Sequence, residues 1–155
     1  MTYVRSGDLQ IIPMARAHSK ACDAITAVSD PWKTLNDRID FLRYIALKQA
    51  YVCIAQNSTA GFLIFTPEPV FARGGYLRAI GVDPSMRRHG IGSALLSFAE
   101  QKTARASQNL YLCVSSFNRQ AQAFYKGRGY TRAGKLQDLI KPGEAELIYW
   151  KRLRP

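Results

Sequence analysis

Cysteine, acidic side chains and long apolar runs are all in short supply in this chain of 155 residues. The three cysteines, Cys22, Cys53 and Cys113, lie far apart. They form neither a disulfide framework nor a zinc pattern, so reduced thiols in a cytoplasmic protein are expected and no metal is. No apolar run approaches the roughly 18 residues that span a bilayer, which sets a membrane partner aside. The first residues, Met1 to Asp8, have no apolar signal core, so secretion is not expected. No repeat, low-complexity tract or linker interrupts the sequence, and the length suits one domain over residues 1–155. Hydrophobic residues at 47% and charged ones at 21% exclude a disordered tail.

Acidic residues number 11 against 22 Lys plus Arg, a formal charge of +11. Taken globally, such an excess fits any polyanion. Its distribution is narrower. Residues 1–72 hold 7 basic and 6 acidic side chains, whereas residues 73–155 hold 15 and 5. The second half carries the charge.

Patterning gives the order βααβββαβαββ, an α/β chain whose helices cover a sheet. Leu9–Pro13 reads as a strand and Ala15–Val28 as a helix stopped by Asp30-Pro31. A second helix is expected from Thr34, with Leu35, Ile39, Leu42, Tyr44, Ile45 and Leu47 on its apolar face. Tyr51–Ala55 and Gly61–Phe65 read as strands joined across Gln56–Ala60. Pro67 and Pro69 mark a loop before a strand over Tyr76–Val82. A helix over Gly90–Arg105 buries Ile91, Ala94, Leu95, Phe98 and Ala99. A strand over Asn109–Val114, a helix over Arg119–Lys126, and strands over Tyr130–Leu136 and Glu144–Leu153 complete the chain.

The segment Ile80-Gly81-Val82-Asp83-Pro84-Ser85-Met86-Arg87-Arg88-His89-Gly90-Ile91-Gly92 carries the most chemistry. A strand ends, a Pro-containing turn follows, and a glycine-rich loop opens into an amphipathic helix. Glycines let the backbone approach a ligand, and the amides and dipole of the helix start attract phosphate. Arg87 and Arg88 add positive charge. These residues predict a pyrophosphate-binding loop. Neither the Walker A run nor the dinucleotide Gly-x-Gly-x-x-Gly fingerprint is present.

Arg87-x-x-Gly90-x-Gly92, preceded by Val82-x-Pro84, resembles the acyl-CoA-binding motif of the GNAT superfamily of N-acetyltransferases. The block Asn118-Arg119-Gln120-Ala121-Gln122-Ala123-Phe124-Tyr125-Lys126-Gly127-Arg128-Gly129-Tyr130 is similar to a second pattern of that family. The resemblance implies a single α+β domain with a mixed, mostly antiparallel central sheet flanked by helices. It implies acetyl-CoA as co-substrate and a primary amine, on a small molecule, peptide or protein, as acceptor. Ile80, Gly81 and Val82 would pair with the pantetheine arm. Arg87, Arg88, His89, Gly90, Ile91 and Gly92, with Ser93, would surround the pyrophosphate. Asn118 would hydrogen-bond the pantetheine portion, and Tyr125 would act as general acid. Trp32, after Asp30-Pro31, is a candidate wall of the acceptor pocket, with plain packing as its other reading.

One position departs from the family. In the branch acting on ribosomal-protein N-termini, a Glu five residues before the Asn is the general base; here it is Cys113. A base must then come from Glu68, Asp138, Glu144, Glu146 or a water chain, and Asp138 is taken first. Cys113 lacks an evident base of its own and makes a poor nucleophile. The missing carboxylate also keeps a second reading open, a CoA-binding module or sensor without turnover. Nucleic acid rests on the net charge alone and is disfavoured. The oligomeric state is left open, a homodimer included.

Overall fold

Val4–Ser6 (β1) and Leu9–Pro13 (β2) begin the chain as a hairpin turning at Gly7, which sits at φ +59°. A short 3-10 turn, Arg16–His18, leads into helix α1, Ser19–Ala27. Then come α2 (Trp32–Leu35), α3 (Phe41–Ala46), β3 (Ala50–Ala55), β4 (Ser58–Phe71) and β5 (Gly74–Val82). Helix α4 (Ile91–Ala106), β6 (Asn109–Ser115), α5 (Arg119–Gly127), β7 (Thr131–Gln137) and β8 (Ala145–Arg152) follow. The computed structural model describes residues 4–155; Met1 to Tyr3, part of the stretch without a signal core, lie outside the described residues.

Two bodies make up the chain. The first comprises residues up to Phe65 together with Arg78–Gln101. Its strands run in the order β1-β2-β3-β4 and then the second half of β5. Phe62 anchors its core, with Trp32 at 5.6 Å and Phe41 edge-on at 5.0 Å between ring centroids. Met14, Cys22, Ile25, Val52 and Ile64 fill the space around them. Gly81 is required beneath Phe62, because a Cβ there would stand 2.2 Å from the ring. On α4, Ile91, Leu95, Leu96, Phe98 and Ala99 are buried; Ala94, expected on the buried stripe, is only half-buried, and Leu96 takes a buried place instead.

The second body comprises Thr66–Leu77 and Lys102–Pro155. The end of β4 and the start of β5 form a hairpin across Ala72-Arg73, both at positive φ as a two-residue turn demands. β5 then pairs in parallel with β6 from Gly74–Asn109 to Leu77–Leu112. β6 pairs antiparallel with β8, and β8 with β7. Leu110, Leu112, Val114, Leu147 and Tyr149 are buried here. Both bodies fit the mixed, mostly antiparallel sheet with helices that the resemblance implies.

Four local expectations need correction. The helix from Thr34 is two pieces: Asn36 turns left-handed at φ +50°, and Asp40 instead caps α3 by accepting the Arg43 N–H. Short polar side chains compete with helical hydrogen bonds in this way. The buried anchors are consequently Trp32 and Phe41, while Leu42 and Leu47 are exposed. Pro67 and Pro69 do not make a loop; β4 continues through them to Phe71, and its Thr66–Phe71 stretch is only half-buried or exposed. A strand partly facing solvent tolerates proline's missing donor. The connection before it shrinks to Gln56-Asn57, both left-handed, with Ala55 paired to Ser58. A short strand, β1, also precedes the first one expected.

Candidate functional site

In the first body the phosphate-loop segment is built by local hydrogen bonds. Asp83 accepts from the Ser85 N–H at 2.8 Å and its hydroxyl at 2.7 Å, fixing a short 3-10 turn over Pro84–Met86. The Asp83 N–H is itself held by the Ala60 carbonyl at 2.8 Å. Gly90 takes φ +76° and its carbonyl accepts the Ala94 N–H at 2.9 Å, so it is the residue on which α4 starts. The Ile91 and Gly92 amides precede that first helical bond and sit at the positive end of the helix dipole. Arg88 at φ +66° and Arg87 are exposed beside them. Arg87 Nη2 donates to the Ser29 hydroxyl at 3.3 Å, leaving the rest of a five-donor guanidinium for an anion. His89 Nδ1 lies 2.9 Å from the Arg87 carbonyl and 3.2 Å from that of Met86. A carbonyl only accepts, so Nδ1 carries the proton and the ring braces the loop.

Ile80, Gly81 and Val82 also belong to this body, beyond Leu77, the last β5 residue in register with β6. Trp32 is 9% exposed and packs on Phe62, so most of its ring serves the core.

The second body holds the other candidates. Asn118 caps α5, its Oδ1 accepting the Ala121 N–H at 3.2 Å, so its Nδ2 is the atom that can donate. Gln122 Nε2 reaches back to the Ser116 carbonyl at 3.0 Å and pins the helix to the end of β6. Tyr125, on α5, is 7% exposed, its ring 5.1 Å from Phe124 and 5.6 Å from Tyr130. Burial pushes its phenol above the ordinary value of 10.0.

The carboxylates differ sharply. Asp138 is exposed in the β7–β8 loop, where its Oδ1 accepts from Gln137 Nε2 at 3.1 Å and from the Gly143 N–H at 2.7 Å. Those bonds, the Gln137 one foremost, hold its carboxyl below the ordinary carboxylate range. A carboxylate so stabilised is a weaker base than a free one. Glu68 is exposed on β4, and Glu144 accepts from the Ser116 hydroxyl at 2.8 Å. Glu146 is the buried one, 8% exposed on β8 and hydrogen-bonded by the Ser115 hydroxyl. Burial raises its pKa, and the Ser115 bond offsets part of that rise.

Sequence reasoning left two contacts unread. The Cys113 thiol is hydrogen-bonded with Tyr76, and burial raises it, so it is no ready thiolate. Arg87 reaches Ser29, 58 residues away, which no local motif reveals. The Ser115–Glu146 pair left a trace: a carboxylate inside the apolar run Ala145–Tyr149 needs a buried partner. Among the described residues no helix is long and apolar enough to cross a membrane.

The model of the acetyltransferase (GNAT) family matches residues 17–130. No curated protein matches the chain. Among solved structures, Ard1 from Thermoplasma volcanium superposes with a TM-score of 0.76 at 19% identity, covering 94% of this chain and 97% of that one. The ribosomal-protein-S18-alanine N-acetyltransferase from Escherichia coli gives 0.71 at 22%, covering 95% of each chain. Arabidopsis thaliana Naa50, solved in complex with the bisubstrate analogue CoA-Ac-MVNAL, gives 0.74 at 18%, covering 93% of this chain and 98% of that one. These likenesses establish the fold. The family model spans more than half of the sequence and takes in both the Arg87–Gly92 loop and the Asn118–Tyr130 block, and the chain belongs to the GNAT acetyltransferase family.

Proposed function

We propose that this protein is an acetyl-CoA-dependent N-acetyltransferase, one domain over residues 1–155, which acetylates a primary amine by direct attack in a ternary complex. The observation that carries the reading is the Arg87–Gly92 loop, whose Gly90 at φ +76° opens α4 with two amides ahead of the first helical bond and with Arg87 and Arg88 exposed just before it. That arrangement suits a pyrophosphate. Arg87 to Ser93 hold the CoA diphosphate, and Ile80 to Val82 offer main-chain bonds to the pantetheine amides. Asn118 donates from Nδ2 to the same arm. Three free cysteines suit a reducing compartment such as the cytoplasm.

The reaction then follows from charge. A neutral amine attacks the thioester carbonyl, and the oxygen of the tetrahedral intermediate takes a hydrogen bond from a fixed backbone amide, that of Val82. The C–S bond breaks and the CoA sulfur needs a proton. Tyr125, kept neutral by burial, always has one to give. A phenol is a weaker acid than a thiol of pKa about 8.5, so transfer must accompany C–S cleavage while the phenolic oxygen regains a proton from the attacking nitrogen. The elevated Cys113 thiol supports direct transfer over an acyl-enzyme.

Acceptors named for the solved relatives include a ribosomal-protein alanine and the peptide of a bisubstrate analogue. A peptide or small-molecule primary amine is the matching class here. Polycationic acceptors call for an acidic cleft, and 11 acidic residues give little material for one. The test is thiol release from acetyl-CoA across a panel of peptides and small amines, with Arg87→Ala beside the parent. Acceptor-dependent release is expected, and Arg87→Ala should raise the acetyl-CoA Kd about tenfold or more, the loss of a charge-assisted hydrogen bond. Tight CoA binding without release on any amine would favour the sensor reading.

A further inference from the structure

At Cys113, where the family resemblance would place a base, the second body holds a carboxylate close by along the β6–β8 ladder. In the antiparallel β6–β8 ladder, Cys113 is opposite Ile148 and Ser115 is opposite Glu146. Directly opposed residues share a face, and side chains two apart on one strand do too. Cys113, Ser115, Ile148 and Glu146 therefore line one face, and the parallel β5–β6 register, Tyr76 opposite Tyr111, adds Tyr76 to it. Leu112, Val114, Leu147 and Tyr149 line the other face and are buried. So the carboxylate stands on the face that carries Cys113, one pair further along the ladder.

Its surroundings single it out among the candidates. Glu146 is buried and its Oε1 accepts the Ser115 hydroxyl, whereas Asp138, Glu68 and Glu144 are exposed or half-exposed. The strand register gives its neighbours on the sheet. β6 presents Ser115 and the Cys113 thiol, which is hydrogen-bonded to Tyr76 of β5; β7 presents Leu136, opposite Glu146, which does not titrate. Within this set no cation neutralises the carboxylate. Such an environment makes it more basic than an ordinary carboxylate, as a proton acceptor requires.

We propose that Glu146, held by Ser115, accepts the proton of the acceptor ammonium, taking the place of the base that Cys113 cannot supply. The proposal rests on the N-acetyltransferase reading above. The ammonium N–H bond breaks, its proton passes to a Glu146 oxygen directly or through one water, and the electron pair left on nitrogen forms the C–N bond. Glu146 later releases that proton to solvent, which balances the one proton freed per acetyl transferred. Ser115 is a positioning residue that fixes the carboxylate and tempers its basicity.

The test compares Glu146→Gln and Ser115→Ala with the parent enzyme on the best amine of the acceptor panel, over a range of pH. Glu146→Gln should lose about 100-fold or more in kcat/KM near pH 7, the usual contribution of a general base. Its defect should shrink toward parity once the pH exceeds the acceptor's own pKa, because the amine then arrives neutral. Ser115→Ala keeps the base but removes the bond that lowers its pKa, so the acidic limb of kcat/KM should move to higher pH. A merely structural role would give neither the pH-dependent recovery nor the limb shift. Acetyl-CoA Kd and Tm, measured on the same samples, separate misfolding from lost catalysis. An active parent with Glu146→Gln equally active, or equally impaired at every pH, overturns this assignment alone. A parent inactive on every amine overturns the acetyltransferase reading and this assignment with it.

Discussion

A phenol buried as deeply as Tyr125 holds its proton well beyond the pH at which free tyrosine ionises. Two outcomes follow for an enzyme that uses it as general acid. Tyr125→Phe should lower kcat by about 100- to 1,000-fold, within the usual range for such a group, while leaving the acetyl-CoA Kd nearly unchanged. The parent's rate profile should show no alkaline limb from this residue below about pH 10, because the acid form persists there. Stopped-flow thiol release and calorimetric binding measure the two quantities. Unchanged kcat in the Phe variant would remove Tyr125 from the chemistry and leave it a core aromatic beside Phe124 and Tyr130. Burial raises the Glu146 carboxyl as it raises the Tyr125 phenol, and for Glu146 this bears on stability. Its folded pKa is raised, so its contribution is intact below the ordinary carboxylate value of 4.5 and is lost as pH rises through the folded one. Glu146→Gln should therefore not lower Tm at neutral pH by that route.

At the scale of the element, the two glycines flanking the phosphate loop answer to different constraints. Gly81 lies under Phe62, and an added Cβ would stand 2.2 Å from the ring. Gly90 has open space within 4 Å and is constrained only by φ +76°. Gly81→Ala should accordingly cost about 1–3 kcal/mol by overpacking, and Gly90→Ala about 1–2 kcal/mol by backbone strain. Urea unfolding reads both costs. Gly90→Ala should also weaken acetyl-CoA binding by more than its stability loss explains, because it moves the amides that face the phosphates.

The same contrast shows how far the sequence could be read. Gly90, Asp83 and the stripe on α4 work through neighbours within a turn or two, and their spacing reveals them. The α2–α3 region defeats its apolar spacing because Asn36 turns left-handed and Asp37 and Asp40 accept backbone N–H groups with their carboxylates, so one helix cannot propagate. The prolines of β4 looked like breakers because nothing local says that the end of the strand is half-exposed. In the site, the family blocks pointed to Arg87–Ser93, Asn118 and Tyr125. The Ser115–Glu146 pair depends on register between residues 31 positions apart, and Asp138, singled out by its place after a strand, accepts a Gly143 N–H that is invisible in one dimension.

For the whole molecule the question is what a charge of +11 is for. Residues 73–155 carry 15 basic side chains against 5 acidic ones, and that stretch includes the phosphate loop. CoA brings a pyrophosphate and a 3′-phosphate, so a positive field there speeds and strengthens capture of the co-substrate. Screening makes this measurable, since the Debye length falls from about 10 Å at 0.1 M salt to about 3 Å at 1 M. Across that range the acetyl-CoA Kd should rise several-fold, with the analogue lacking the 3′-phosphate showing a shallower dependence. The maximal rate should change little, because the buried Tyr125 and Glu146 are shielded from salt. Duplex DNA gives the counter-test. A polyanion-binding surface of general purpose would hold DNA at least as tightly as the usual non-specific range of about 10⁻⁴–10⁻⁶ M, with a steep salt slope that survives Arg87→Ala. A salt-insensitive acetyl-CoA Kd together with such DNA binding would reassign the charge to nucleic acid. The loop geometry predicts the reverse, with the salt dependence of acetyl-CoA binding reduced in Arg87→Ala.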